Sequence, residues 1–228
     1  MTDQAKTVLG SSVLVVGCDD VEQSGIAYRQ LLGGDLRVRN GSVELTGTAG
    51  SHRAFFAVDD HLATTTLLRR RGMDVDELTP TRTASSGVPS VGVVAASEFS
   101  PRSDVGDIES IDHLVFNAAD RDAAVALFAG TLGLDFRLEQ AIHDGIHQLF
   151  FRSTQVVVEV VIGAPGQDQV ATASLWGIAW RSSDIGETHR RLSEDGMSLS
   201  EIRVGRKPGT SVFTIREPLF GLPTLVLG

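Results

Sequence analysis

Apolar positions along the chain fall into short blocks that alternate between strand-like runs and helical spacing. Residues 12–18 form an apolar strand-like run, and 21–32 read as a helix closed by Gly33-Gly34. Strand-like pieces follow at 36–39 and 42–46, with Asn40-Gly41 as the hairpin dipeptide between them. The pattern then predicts a strand over 54–58, a helix over 61–71 stopped by Gly72, and strands over 74–78 and 88–95, with the Ser/Thr-rich stretch 79–87 as a loop. Beyond it come a strand over 111–117, a helix over 121–132 and strands near 135–140, 146–152 and 155–162, then a Gly-Pro-Gly loop around 163–168. The last blocks are a strand over 174–181, a helix over 184–195 and strands near 199–203, 211–216 and 222–227.

The blocks repeat. Asp20 and Gly33 stand thirteen apart, as do Asp120 and Gly133, while Asp60 precedes Gly72-Met73 by twelve, as Asp184 precedes Gly196-Met197. The second pairing continues into Glu77 and Glu201, and into Gly87-Val88-Pro89-Ser90-Val91 against Gly221-Leu222-Pro223-Thr224-Leu225. Self-similarity of this kind decides architecture before local propensity does. It predicts an α+β protein of tandem paired βαβββ modules, forming two curled, cup-shaped mixed sheets. The expected boundaries are an N-terminal domain over 1–98, a polar linker over 99–109 carrying Pro101 and Gly106, and a C-terminal domain over 110–228.

Composition narrows the function. The chain has 228 residues, 42% hydrophobic and 21% charged, with a formal net charge of −9, which suits a soluble globular protein. Its basic residues are scattered, apart from Arg69-Arg70-Arg71 at a helix end, so no nucleic-acid or anionic-membrane partner is expected. A small-molecule ligand is, with the chain acting as a monomer or homodimer. A single cysteine, Cys18, excludes an intrachain disulfide or a Cys-based zinc site. The N-terminus shows no basic segment followed by an apolar run, and a cytoplasmic location is expected.

Candidate chemistry begins with Glu159, a carboxylate in the almost wholly β-branched run 156–162. Burial of an unpaired carboxylate costs several kcal/mol or more, so Glu159 must be wetted, paired or bound to a cation. With Ile111-Asp112-His113-Leu114-Val115-Phe116, the helix from Asp120 into Leu132-Gly133-Leu134, and the second helix into Asp195-Gly196, this strand makes residues 110–228 resemble the vicinal oxygen chelate superfamily. That is the glyoxalase, bleomycin-resistance and extradiol dioxygenase type, and residues 12–95 look like a more eroded version.

The resemblance implies four inward positions for a divalent metal, one on the first and one on the last strand of each module. His113 and Glu159 fall on two of them, and Gly177 and Leu225 on the others. Two protein ligands fall short of the usual three or four, so one divalent metal and a metal-free site both stay open, the latter with His113 as base and Glu159 as its partner. His147 is the replacement donor to consider, with His143 upstream; it reaches the cup only if Leu149 and Phe151 do too. Arg181, Arg206 and Lys207 are candidate anion contacts, and Trp176 and Trp180, flanking Gly177, candidate pocket walls. In the first half Glu44 corresponds to Glu159, Val13 to His113, and Arg53, rather than His52, lies seven before Asp60.

The resemblance implies a lyase- or isomerase-type enzyme performing proton transfer, isomerisation, elimination or hydrolysis on an oxygenated or carboxylate-bearing molecule. The competing reading is a non-catalytic drug-sequestering protein of the bleomycin-resistance kind, with an aromatic-walled cup.

Overall fold

The computed structural model describes residues 9–86, 90–143, 145–163 and 173–228. The first eight residues, the Gly87-Val88-Pro89 part of the repeat, most of the Gly-Pro-Gly loop and the His143 side chain lie outside the described residues.

Four modules follow one another. The first is β1 (Ser12–Gly17), α1 (Val21–Leu32), β2 (Arg37–Val38) and β3 (Gly41–Thr46). The second is β4 (Arg53–Val58), α2 (His61–Arg70), β5 (Val75–Thr79), β6 (Arg82–Ser85) and β7 (Val91–Ala95). The third is β8 (Ile108–Ala118), α3 (Arg121–Val125), β9 (Asp135–His143), β10 (Ile146–Arg152) and β11 (Val157–Ile162). The fourth is β12 (Ser174–Ser182), α4 (Ile185–Glu194), β13 (Arg203–Val204), β14 (Ser211–Ile215) and β15 (Thr224–Leu227). They form two open mixed sheets, seven-stranded β2-β3-β1-β4-β7-β6-β5 and eight-stranded β13-β14-β15-β12-β8-β11-β10-β9. In modules two and four the first strand runs parallel to the last, β4 with β7 and β12 with β15. Module one has one strand fewer, which matches its eroded repeat.

One device starts every helix. Asp20, Asp60, Asp120 and Asp184 each have extended backbone and accept a hydrogen bond from the N–H three residues on, at Gln23, Ala63, Ala123 and Glu187. Such a cap satisfies a donor that the first helical turn leaves without a partner. Beyond each helix a glycine, Gly33, Gly72, Gly133 or Gly196, takes a positive φ of 75°, 85°, 76° or 85°, a conformation that a side chain disfavours. After Val125 the third helix widens into a π turn over Ala126–Thr131, closed by Leu132 N–H donating to the Leu127 carbonyl.

Two expectations need correction. The stretch 79–87 is not all loop: Thr83 and Ala84 in β6 pair with Glu77 and Asp76 in β5, and Thr83 is tolerated in a buried ladder because its hydroxyl lies within hydrogen-bond distance of Thr65 and His61. The β2–β3 hairpin turns at Arg39-Asn40, since Val38 pairs with Gly41, one residue earlier than the Asn-Gly dipeptide suggests.

The sheets separate residues 12–95 from 108–227, but compact units cut the chain differently. Unit 1 takes in 1–13, 53–99 and 115–175; unit 2 takes in 14–52, 100–114 and 176–228. In unit 1, Phe128 packs on Phe116 at 5.1 Å and on Phe151 at 5.3 Å between ring centres, so the α3 side of the sheet is the packed one. All three rings are fully buried, each contributing about 1.5–3 kcal/mol. In unit 2, Tyr28 stacks edge-on against Phe220 and His189 against Phe213, at 4.8 and 5.0 Å. The polar segment before β8 is tied down in the same unit. Asp107 pairs with Arg191, and both Arg191 and Arg102 donate to carbonyls at the end of α1.

Candidate functional site

Within unit 2 three ionisable side chains converge at β8. Asp112 Oδ2 stands 2.8 Å from His113 Nδ1, and Asp112 Oδ1 accepts a hydrogen bond from Arg181 on β12. Side-chain exposures of 23% for Asp112, 17% for His113 and 30% for Arg181 place the cluster between core and solvent. Burial alone would raise the Asp112 carboxyl. The hydrogen bond and charge of His113, then those of Arg181, hold it below the ordinary carboxylate range instead. An ionised Asp112 accepts the Nδ1 hydrogen and so selects the tautomer that leaves the lone pair on Nε2.

The backbone beside this cluster is braced by Asn40. Its buried side chain donates to the Ile111 carbonyl at 2.9 Å and accepts from the Ile111 N–H at 2.8 Å, so one amide serves Ile111 as a strand partner would. Sequence reasoning treated Asn40 as a turn residue and Asp112 as part of a motif. The available signal was an acidic residue next to the histidine.

Arg181 has to be reassigned. The charge predicted to hold an anion is committed to Asp112. The tryptophans lie on the wrong face for lining a pocket at Gly177. Trp180 pairs in register with Val226, and Val226 with Phe213, against which His189 of α4 packs. Strand alternation therefore turns Trp176, Ile178 and Trp180 to the helix side, and Gly177, Ala179 and Arg181 to the other. Trp180 is fully buried and Trp176 is 48% exposed. Arg206 and Lys207 sit exposed in the turn between β13 and β14, closed by Gly205 N–H donating to the Thr210 carbonyl. Among the described residues no hydrogen bond or ion pair links them to Arg181, Asp112 or His113.

Unit 1 holds the other candidates. In the antiparallel pair β10–β11, Phe150 faces Glu159 and Gln148 faces Val161, while His147 faces Ile162. Glu159 and Gln148 thus share the face turned away from α3. His147 shares the opposite face with Leu149 and Phe151, so it is no replacement donor beside Glu159. It stands instead 3.4 Å from Glu139, which Arg121 binds through two nitrogens. On the face away from α3, the Gln148 side chain donates to Glu159 and accepts from Gln140 at 2.9 Å.

His52 is a structural acceptor. It lies just before β4, and its Nδ1 receives the Gly17 N–H at 3.2 Å, while Asp60 caps α2 as the spacing requires. Burial pushes the His52 ring below its ordinary range, consistent with a neutral acceptor.

The donor set does not make a metal centre held by the protein. Gly177 and Leu225 offer no ligand atom, and among the described residues no group of three or more His, Cys, Asp or Glu side chains gathers as a site. A shallow groove of about 480 Å³ on α1, lined by Val21, Ile26, Arg29 and Leu45 among others, involves none of the candidate residues.

Residues 112–214 match the family model described as Glyoxalase/Bleomycin resistance protein/Dioxygenase superfamily. The match falls within the C-terminal half of the chain. No curated protein matches the chain by sequence. Among solved structures, a triple variant of 4-hydroxymandelate synthase from Streptomyces coelicolor is similar at 13% identity, over 97% of this chain and 92% of that one, with a TM-score of 0.70. A xylose isomerase-like TIM barrel/4-hydroxyphenylpyruvate dioxygenase fusion protein is similar at 12% identity, over 97% of this chain and 49% of that one, with a TM-score of 0.67. Methylmalonyl-CoA epimerase from Mycobacterium tuberculosis is similar at 20% identity, over 54% of this chain and 89% of that one, with a TM-score of 0.45. At such identities the first two likenesses, each spanning 97% of this chain, establish the fold alone and leave the reaction to be argued from the site.

Proposed function

We propose that the C-terminal half carries an enzyme site that moves a proton on a small oxygenated or carboxylate-bearing molecule, in an isomerisation, elimination or hydrolysis. His113 is the base, and Asp112 holds its ring and tautomer. The observation that carries this reading is the 2.8 Å contact between His113 Nδ1 and an Asp112 carboxylate held ionised by its partners. A carboxylate that accepts the Nδ1 hydrogen orients the ring and leaves Nε2 as the atom that takes the proton. Arg181 serves by keeping Asp112 charged.

The test is exchange of the α-hydrogen into D2O, followed by proton NMR over a panel of 2-hydroxy and 2-oxo carboxylic acids. Exchange should occur with at least one class and fall about 100-fold or more in His113→Gln. Equal rates in the two proteins, or no exchange across the panel, would overturn the assignment.

One observation favours the second reading, a binding protein of the bleomycin-resistance type. Gly177, Ala179, Leu225 and Leu227 lie on the Arg181 face of β12 and β15, Ala179 directly beside Leu225, and form an apolar strip where a chelating member needs donors. That reading predicts calorimetric binding of an aromatic carboxylate probe that His113→Gln leaves unchanged.

A further inference from the structure

The four helices share a frame, and α1 departs from it at one position. Five residues after the capping aspartates stand Gly25, Thr65, Val125 and His189. Buried Thr65 donates to the Thr83 hydroxyl at 3.3 Å, and the His189 ring packs on Phe213. In α1 the same place is held by a glycine inside a 12-residue helix, where glycine is a poorer helix former than alanine. Packing does not demand it. A Cβ at Gly25 would touch Leu45 Cδ1 at an ordinary 3.7 Å, and its one tight neighbour, at 3.1 Å, is Arg29 Nη1, the far end of a flexible side chain. What the missing side chain leaves open is the groove on α1, whose 480 Å³ falls within the range of small-molecule sites, about 300–1,000 Å³.

Apolar side chains line this groove around a single cation. Val21 and Ile26 are 42% and 45% exposed there, and Leu36 and Leu45 join them. Arg29 lies over Gly25, and among the described residues its guanidinium makes no hydrogen bond or ion pair. Glu22, the other charged residue of the lining, sits in the first turn of α1, where the helix dipole favours a carboxylate. Seven residues of helix, about 10 Å, separate it from Arg29, so it does not neutralise the guanidinium. We propose that the groove binds a small monocarboxylic acid with an apolar chain: the planar fork of Arg29 donates to the carboxylate, and the chain lies along Gly25, Ile26 and Leu45. Removing that chain from water supplies the attraction, and the fork supplies the preference for an anion. The site shares no residue with the proposed reaction and stands or falls without it.

The experiment is a proton–nitrogen NMR titration of the nitrogen-15-labelled full chain with sodium octanoate, with octylammonium chloride and 1-octanol as charge controls. Shifts read residue by residue distinguish this groove from binding on β12 or β15. Octanoate should shift the Gly25, Ile26 and Leu45 amides saturably, with an affinity about fivefold above either control. In Arg29→Gln that preference should vanish, octanoate falling to the level of octanol. Gly25→Leu should weaken octanoate about tenfold and yet raise the melting temperature, since leucine fills the groove and favours the helix. Lost affinity together with gained stability is not what a damaged fold produces. The proposal is overturned by the absence of saturable shifts at these amides, by octylammonium binding as well as octanoate, or by either variant binding octanoate as the native protein does.

Discussion

β1 and β8 open their modules in the same way, each running toward an Asp that caps the following helix, yet β1 carries buried Ser12 and Val13 where β8 displays Asp112 and His113 at partial exposure. Cap, helix and positive-φ glycine make up the shared frame. Positions inside the first strand vary without disturbing that frame, because side chains of alternating direction leave the ladder's backbone bonds alone. One module spends those positions on core packing and the other on a charged cluster. The histidines differ in the same sense: His52 gives its Nδ1 to a backbone N–H, whereas His113 gives its Nδ1 to a carboxylate.

The comparison breaks most sharply at the start of β8. Arg191→Ala removes the partner of Asp107 and two hydrogen bonds to carbonyls at the end of α1, and should cost about 2–3 kcal/mol in urea unfolding, charge-assisted bonds being the stronger kind. A loss within error of zero would mean that the segment before β8 is placed by other contacts.

A smaller effect tests the frame. Asp20→Ala and Asp120→Ala each delete one side-chain cap and should lower stability by about 1 kcal/mol apiece, whichever module is touched. Unequal losses would show that the caps are alike in form and unlike in weight.

The smallest effect separates the histidines. His52 titrates below its ordinary range in the folded protein, so between that value and about 6.5 the unfolded chain binds more protons. Stability therefore falls as pH drops through this window. His52→Asn keeps an acceptor for the Gly17 N–H without titrating, and should flatten the slope of melting temperature against pH there. An unchanged slope would remove His52 from the account.

Much of the frame was legible in the sequence, since Asp and Gly at fixed spacing state where a helix begins and ends, and Val156 to Ile162 allows little but a strand. The sites were less so. Face assignment depends on register, and register is set by partners far along the chain; that is why the face of His147 stayed open and Trp176 and Trp180 were read as pocket walls beside Gly177. Asp112, Asn40 and Gln148 act through side-chain pairings with residues 69, 71 and 11 positions away, which no local pattern encodes. The β5–β6 hairpin was missed because its Thr and Ser residues also suit a loop.

Unit 2 draws residues 14–52 together with 176–228, and its buried Tyr28 hydroxyl donates to the Phe220 carbonyl at 3.0 Å, 192 residues later. A ribosome delivers that acceptor 192 residues after the hydroxyl, so α1 emerges long before the strands and turn that surround it. Contacts this distant slow folding and prolong exposure of apolar surface. A premature stop before Phe220 would therefore unsettle α1 as well as the strands around it, and nascent chains of this protein should lean on chaperones until β15 is out.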